Sequence, residues 1–183
     1  EVIQQVSKAT GTRIRAFIVG DGEERERLQR RTVDLGLSMV QGPIFNGHGF
    51  GFGANGRPMV DRATVTYTSW IKEVDIVNAG VDIAMLTSLN EGTPVSLIEA
   101  QAASRPVIST RVGGIENVVV PGGTALLSEP GDRAGLVRDL TRLVEDRALR
   151  QQLGGGGWPH VEERYHYTRL VNDMTALYRS LVN

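Results

Sequence analysis

The sequence lacks several features that point to particular classes of protein. None of its 183 residues is cysteine, which excludes disulfide scaffolds, thiolate metal sites and cysteine nucleophiles. Twenty basic and 21 acidic side chains give a formal charge of -1, which argues against a nucleic-acid partner. No apolar run approaches the roughly 20 residues that span a bilayer, and the N-terminal EVIQQVSKAT does not resemble a signal peptide. These absences predict a soluble domain without a transmembrane segment.

Two common nucleotide-binding motifs are also absent. The sequence has no G-x-x-x-x-G-K-[ST] loop, which excludes an ATPase of the P-loop type. The segment IVGDGEERERL, residues 18–28, puts a strand, a tight turn and a helix start in order. However, Arg25 stands where a dinucleotide fingerprint needs its third glycine, and Glu23 and Glu24 would repel a pyrophosphate. We therefore exclude NAD binding here, and a tight strand-to-helix turn is the simpler interpretation.

Short apolar runs alternate with longer amphipathic segments along the chain. The predicted strands are residues 13–19, 64–68, 82–86, 106–109 and 125–127. The predicted helices are residues 23–35, 71–79, 94–104, 115–119, 132–149 and 168–181, and residues 1–9 resemble the end of another helix. This alternation predicts βαβ units and a mainly parallel, doubly wound α/β sheet, with ligands at the carboxyl ends of its strands.

One segment interrupts the alternation. Residues 42–59, GPIFNGHGFGFGANGRPM, hold six glycines and two prolines where the next strand is expected. A long loop inserted into the domain is predicted, with an inert insertion as one interpretation and a functional loop as the other. The 183 residues are otherwise of the size of one ordinary α/β domain.

The most informative constellation is LTSLNEGTPVSLIEA, residues 86–100, which directly follows an apolar strand. Thr93 suits the N-cap and Pro94 the first helical position, so the next three backbone amides, of Val95, Ser96 and Leu97, are expected to be free. Unpaired amides at a helix start attract a phosphate or diphosphate without any basic side chain. The segment therefore predicts an anion-binding helix start.

Two carboxylates flank this helix start, at Glu91 and Glu99. Carboxylates do not bind phosphate, but they accept paired hydrogen bonds from vicinal hydroxyls. A ligand that carries a diphosphate between two polyols satisfies all of these groups, and a nucleotide-sugar is such a ligand. Taken singly, either glutamate is better explained as a solvated surface charge.

With its neighbours, this segment resembles the donor-binding C-terminal domain of retaining glycosyltransferases of the GT-B architecture, in the large family 4 group. The spacing of Glu91 and Glu99 matches the E-x7-E motif of that family. The resemblance covers nearly the whole chain except residues 42–59. Its markers in order are IVGDGEERERL, TVTYTSW, VDIAMLTSLNEGTPVSLIEAQAASRPVIST, VGGIENVV and ALLSEPGD.

The resemblance implies roles for individual residues. Glu99 corresponds to the glutamate that holds the ribose hydroxyls, and Glu91, the implied catalytic residue, to the one that contacts the transferred sugar. Backbone contacts to the sugar and diphosphate are implied for residues 92–96, in particular Gly92, Thr93, Val95 and Ser96. Many relatives have glycine in place of Pro94, which donates no N–H.

The resemblance implies further contacts to the base from Ser69, Trp70 and Ile71, largely through their backbone. A tryptophan buried in the core is the alternative interpretation of Trp70. Gly113 and Gly114 are open to a purely structural interpretation as a turn.

The resemblance also implies what the protein works with. The donor is a nucleotide-diphosphate sugar such as a UDP-sugar, the acceptor is unknown, and neither a cofactor nor a metal is needed. The spacing of the three histidines is not that of metal ligands: His48, His160 and His166. The implied location is cytoplasmic, with attachment to a membrane surface through an N-terminal domain as a further option, and polysaccharide biosynthesis is the implied process.

Several parts of such an enzyme are not found in this sequence. The first strand of the donor domain, its basic diphosphate-binding residues and the N-terminal acceptor domain have no counterpart here, so the isolated chain is expected to be inactive. Without that first strand, residues 13–19 and 82–86 would present unpaired sheet edges and favour association. A nucleotide-sugar epimerase of similar fold, a non-catalytic nucleotide-binding fragment and a half that works with a partner chain are the alternatives.

Overall fold

The computed structural model describes residues 1–41 and 64–182. The chain divides into two compact units, Glu1–Val74 and Asp75–Asn183. Six strands and nine helices are found within the described residues. Every strand pair in both units is parallel.

The first unit holds a three-stranded sheet with the order β1-β3-β2. Its elements are α1 (Val2–Thr10), β1 (Ala16–Val19), α2 (Arg25–Asp34), β2 (Met39–Gln41) and β3 (Val65–Ser69). The central strand β3 is almost fully buried. The Tyr67 hydroxyl on β3 lies 2.8 Å from Thr32 Oγ1 on α2, which ties the helix to the sheet.

The second unit holds another three-stranded sheet with the order β4-β5-β6. The elements are α3 (Val74–Gly80), β4 (Ala84–Leu86), α4 (Val95–Ala102), β5 (Val107–Thr110), α5 (Ile115–Val118), β6 (Ala125–Ser128), α6 (Arg133–Glu145), α7 (Arg147–Gly155), α8 (Gly157–Tyr165) and α9 (Tyr167–Val182). The core forms where α4 and α5 pack on β5 and β6, through Leu97, Ala100, Val107, Ile115, Val118, Val119 and Ala125. Burial of these apolar side chains positions the start of α4, where the predicted site lies.

The α/β class and the parallel strands are confirmed, although the strands form two sheets. Strands β1 and β4 each lie at the edge of their sheet within the described residues. Strand β2 and helix α8 were not predicted, because β2 has three residues and the sequence before α8 is a run of glycines. The insertion predicted at residues 42–59 lies outside the described residues.

The prediction of a single helix over residues 132–149 was wrong in one respect, because these residues belong to two helices, α6 and α7. Asp146 has an extended backbone and its carboxylate accepts a hydrogen bond from the Leu149 amide at 2.8 Å. This side-chain cap starts α7 directly after α6 ends. The last helix, α9, has no buried residue, and within the described ranges no helix is both long and apolar enough to cross a membrane.

Candidate functional site

The loop between β4 and α4, together with the first two turns of α4, carries six of the nine predicted site residues. Pro94, and not Thr93 as predicted, is the N-cap of α4, with an extended backbone at φ -74° and ψ 94°. Its carbonyl oxygen accepts hydrogen bonds from the amides of Leu97 at 3.0 Å and Ile98 at 3.4 Å. The helix starts one residue later than predicted because Pro94 is buried in an extended conformation, which leaves Thr93 exposed in the loop.

Two backbone amides remain available at the start of α4. Leu97 uses its amide on Pro94, whereas the structure gives the exposed Val95 and Ser96 no acceptor among the described residues. The predicted set of three free amides is thus reduced to two. They stand at the positive end of an eight-residue helix, where an anion is stabilised.

Gly113 and Gly114 pack directly on the loop that carries Glu91. A Cβ atom on Gly113 would lie 1.9 Å from the Glu91 carbonyl oxygen, and one on Gly114 would lie 1.9 Å from the Gly92 carbonyl oxygen. The Gly114 amide also donates a hydrogen bond to the Glu91 carbonyl oxygen at 3.0 Å. These glycines therefore do more than form a turn, since they fix the backbone of Glu91 and Gly92 by close approach.

Two hydroxyl groups at the end of β5 shape the same loop. Ser109 Oγ donates to the Leu86 carbonyl oxygen at 2.8 Å, and Thr110 Oγ1 donates to the Ser88 carbonyl oxygen at 2.6 Å. Both side chains are buried. The sequence does not single out these residues, because a serine and a threonine at the end of an apolar strand give no distinctive signal.

The two carboxylates of the E-x7-E motif are available for a ligand. Glu91 and Glu99 are each half-buried, Glu91 in the loop and Glu99 in the second turn of α4. Within the part of the chain that the structure describes, neither carboxylate has a hydrogen-bond or ion-pair partner. Their acceptor atoms can therefore receive hydrogen bonds from hydroxyl groups.

The last residue of β3, Ser69, and the loop that follows it hold the residues predicted to contact the base; we call residues 69–71 the loop after β3. Ser69 has a positive φ of 58°, Trp70 is 76% exposed and Ile71 is 8% exposed. The alternative of a core tryptophan is therefore wrong. This loop belongs to the first unit, whereas the Glu91 loop and α4 belong to the second.

The two histidines that the structure describes make local contacts within the second unit. His160 Nε2 is 3.2 Å from the Val118 carbonyl oxygen, and His166 Nδ1 is 2.8 Å from Thr168 Oγ1. His48 lies outside the described residues. In the described ranges, no group of three histidine, aspartate or glutamate residues is arranged to hold a metal ion.

Comparison with protein families matches residues 52–146 to Glycosyl transferases group 1. This match covers more than half of the chain. Among curated relatives, the lipopolysaccharide core biosynthesis glycosyltransferase LpsE of Rhizobium meliloti is 28% identical over 156 residues, which are 85% of this chain and 38% of LpsE. The N-acetyl-alpha-D-glucosaminyl L-malate synthase of Bacillus anthracis is 33% identical over 97 residues, which are 53% of this chain and 26% of that protein.

Solved structures show the same fold. The structure of HepE from Anabaena in complex with UDP and glucose has a TM-score of 0.75 at 17% identity, covering 98% of this chain and 44% of HepE. A sucrose-phosphate synthase from Thermosynechococcus elongatus has a TM-score of 0.71 at 22% identity, covering 99% of this chain and 42% of that one. The chain thus spans less than half the length of these relatives.

Proposed function

This chain belongs to the family of glycosyl transferases group 1, and we propose that it is the donor-binding part of a retaining enzyme. In this proposal, the protein transfers a sugar from a nucleotide-diphosphate sugar to an acceptor that the chain does not identify. A UDP-sugar is the donor we favour, because the HepE structures with the same fold contain UDP, in one case with glucose.

In this proposal, each group of site residues contacts a different portion of the donor molecule. Glu99 accepts hydrogen bonds from the ribose hydroxyls, and Glu91 contacts the transferred sugar. The amides of Val95 and Ser96 bind the diphosphate, with backbone contacts from Gly92 and Thr93. The backbone of residues 69–71 contacts the base.

The observation that carries the proposal is the grouping of free acceptors and free donors around one helix start. Two carboxylates without a partner among the described residues and two amides without an acceptor there lie within nine residues, from Glu91 to Glu99. Diphosphate bound at the amides would become more negative as the bond to the sugar breaks. The helix end would therefore stabilise the transition state more than the bound donor.

Calorimetric titration of the chain with UDP and with a UDP-sugar tests the two glutamate roles. Glu99→Ala should weaken the binding of both ligands by about 1–3 kcal/mol, as for a lost charged hydrogen-bond partner. Glu91→Gln should weaken the binding of the UDP-sugar while leaving that of UDP close to the parent value. The matched control is Glu163→Ala, a change at an exposed glutamate of α8, and it should alter neither affinity. Equal binding by Glu99→Ala and the parent would contradict the ribose assignment.

We also propose that the 183-residue chain alone does not transfer sugar. The proposal is supported by its coverage of 38% of LpsE and 44% of HepE, since a transferase needs an acceptor site as well as a donor site. A radiolabelled-sugar transfer assay should show no acceptor-dependent product with the chain alone. Turnover by the chain alone would overturn this part of the proposal.

A further inference from the structure

The side chain of Arg25 links the turn after β1 to the loop after β3. Its Nη1 donates a hydrogen bond to Ser69 Oγ at 2.9 Å and lies 3.4 Å from a carboxylate oxygen of Asp21. The guanidinium carbon is 6.0 Å from the centroid of the buried Tyr67 ring, at the outer limit of a cation–π contact. Since the side chain of Arg25 is only 20% exposed, these contacts are partly shielded from water. Shielding strengthens a hydrogen bond from a charged donor.

Ser69 has a backbone conformation that needs such support. Its φ of 58° lies in the left-handed region of backbone conformation, which residues other than glycine, asparagine and aspartate rarely adopt. The Ser69 carbonyl oxygen accepts hydrogen bonds from the Gly20 amide and from Thr68 Oγ1, each at 2.9 Å. Arg25 adds the contact to the Ser69 side chain. A strained serine persists where its surroundings hold it from several directions.

We propose that Arg25 is a positioning residue that holds residues 69–71 in the conformation that binds the nucleotide base. The proposal rests on the proposed function, because that function assigns the base contacts to this loop. Ile71 is buried, and Ser69 is held by Arg25. The exposed Trp70 therefore lies between two fixed residues, so its backbone groups have little freedom. Arg25 acts through Ser69 and does not need to touch the base.

Amide hydrogen exchange in the ligand-free chain tests the positioning role. Arg25→Gln and Ser69→Ala each remove one side of the same hydrogen bond, so each should speed exchange at the Gly20 amide by about tenfold. The double variant should exchange no faster than either single variant. Amides of β2, which pairs with β3 in the same unit, serve as an internal reference for the stability of that unit. The control is Arg27→Gln on the same helix, where the exposed arginine pairs with Glu24, and it should leave exchange at Gly20 unchanged. Unchanged exchange in Arg25→Gln would overturn the proposal.

Nucleotide titration tests the connection to base binding. The parent chain and Arg25→Gln are titrated with UDP, CDP, ADP, GDP and inorganic pyrophosphate. The affinity for the preferred nucleotide should fall by about tenfold in Arg25→Gln. The affinity for pyrophosphate, which has no base, should stay the same. The differences in affinity among the four nucleotides should therefore be smaller in Arg25→Gln than in the parent chain. A variant with faster exchange but unchanged discrimination would show that Arg25 supports the fold and not base binding, and would overturn the proposal.

The two experiments separate the failure of this proposal from that of the proposed function. If the parent chain binds no nucleotide, the base site assigned to residues 69–71 fails, and the base-binding part of this proposal fails with it. The exchange measurement still decides whether Arg25 holds the loop. If nucleotides bind with base discrimination and Arg25→Gln changes neither exchange nor discrimination, the proposed function stands and the role of Arg25 is wrong.

Discussion

The loop after β3 and the loop after β4 differ in how closely another part of the backbone packs against them. In the first, a charged side chain, Arg25, bonds to the side chain of Ser69. In the second, the backbone of Gly113 and Gly114 lies against the carbonyl oxygens of Glu91 and Gly92, with no room for a side chain. The first loop can therefore lose its contact without a clash, whereas a methyl group added to Gly113 or Gly114 would collide with the backbone of the second loop.

The two loops should tolerate amino-acid substitutions differently. A side-chain hydrogen bond contributes a modest and graded amount of stability, and water can replace part of it. A backbone contact at a close approach has no such replacement, since any added atom moves the main chain. Substitutions at Gly113 and Gly114 should therefore lower stability and ligand binding together, whereas loss of the Arg25 contact should weaken ligand binding at a smaller cost in stability.

The largest effect is expected for Gly114→Ala. The added Cβ would lie 1.9 Å from the Gly92 carbonyl oxygen, which is backbone and cannot rotate away. The loop must shift, and we expect a loss of about 3 kcal/mol of unfolding free energy or more, together with loss of UDP-sugar binding. Urea denaturation and calorimetry measure the two effects.

The matched control for this substitution is Gly155→Ala in α7 of the same unit. A Cβ atom there meets nothing within 4 Å, and its φ is not positive. Alanine in a helix loses less backbone entropy on folding, so this variant should gain about 0.5–1 kcal/mol. Similar unfolding curves for the two variants would contradict the idea that close approach holds the Glu91 loop.

The fold was predictable from the sequence to the extent that its signals are local. Five of the strands follow apolar runs of strand length, and the helix start at Pro94 was placed within one residue because proline rarely stands deeper in a helix. The E-x7-E spacing also located the two carboxylates. Each of these features depends on residues that are close in sequence.

The parts that were missed depend on contacts between distant residues. The approach of Gly114 to Gly92 joins residues 22 positions apart, and the bond from Arg25 to Ser69 spans 44 positions. A glycine pair indicates a turn, but nothing in its neighbours shows what backbone lies against it. Strand β2 was missed for a related reason, since its three residues are held in a strand conformation by pairing with β3, which is distant in sequence.

The second-largest effect on stability is expected at Ile71 in the loop after β3. Ile71 is 8% exposed, whereas its neighbour Trp70 is 76% exposed. Ile71→Ala should cost about 2 kcal/mol of unfolding free energy through lost burial and a cavity. Trp70→Ala should change it by less than about 0.5 kcal/mol. Thermal and urea unfolding of both variants measure this difference, and equal losses would mean that Ile71 does not anchor the loop.

A smaller effect is expected at the hydroxyl contacts of the second loop. Thr110→Val removes the hydrogen bond to the Ser88 carbonyl oxygen and keeps the size of the buried side chain. We expect a loss of about 1 kcal/mol. The control is Thr175→Val, since Thr175 makes a similar bond to Val171 on the exposed helix α9. It should cost less than about 0.5 kcal/mol of unfolding free energy. Urea denaturation of both variants measures the two losses, and a larger loss in Thr175→Val than in Thr110→Val would contradict the prediction.

The smallest effects, and the ones that test the comparison most finely, are expected at two serines with similar backbones. Ser69 has φ 58° and Ser104, after α4, has φ 57°. The hydroxyl of Ser104 is exposed and has no hydrogen-bond partner within the described ranges, whereas that of Ser69 accepts the bond from Arg25. Glycine relieves about 1 kcal/mol of left-handed strain at either position, but it also raises the entropy of the unfolded chain.

For Ser104→Gly these two terms leave a net gain of about 0.5 kcal/mol, because no side-chain contact is lost. Ser69→Gly loses the hydrogen bond from a charged donor as well, which offsets the relief and gives a net loss of about 0.5 kcal/mol. Urea denaturation of both variants in parallel resolves the opposite signs. A gain at both positions would mean that the Arg25 contact contributes little to holding the loop after β3.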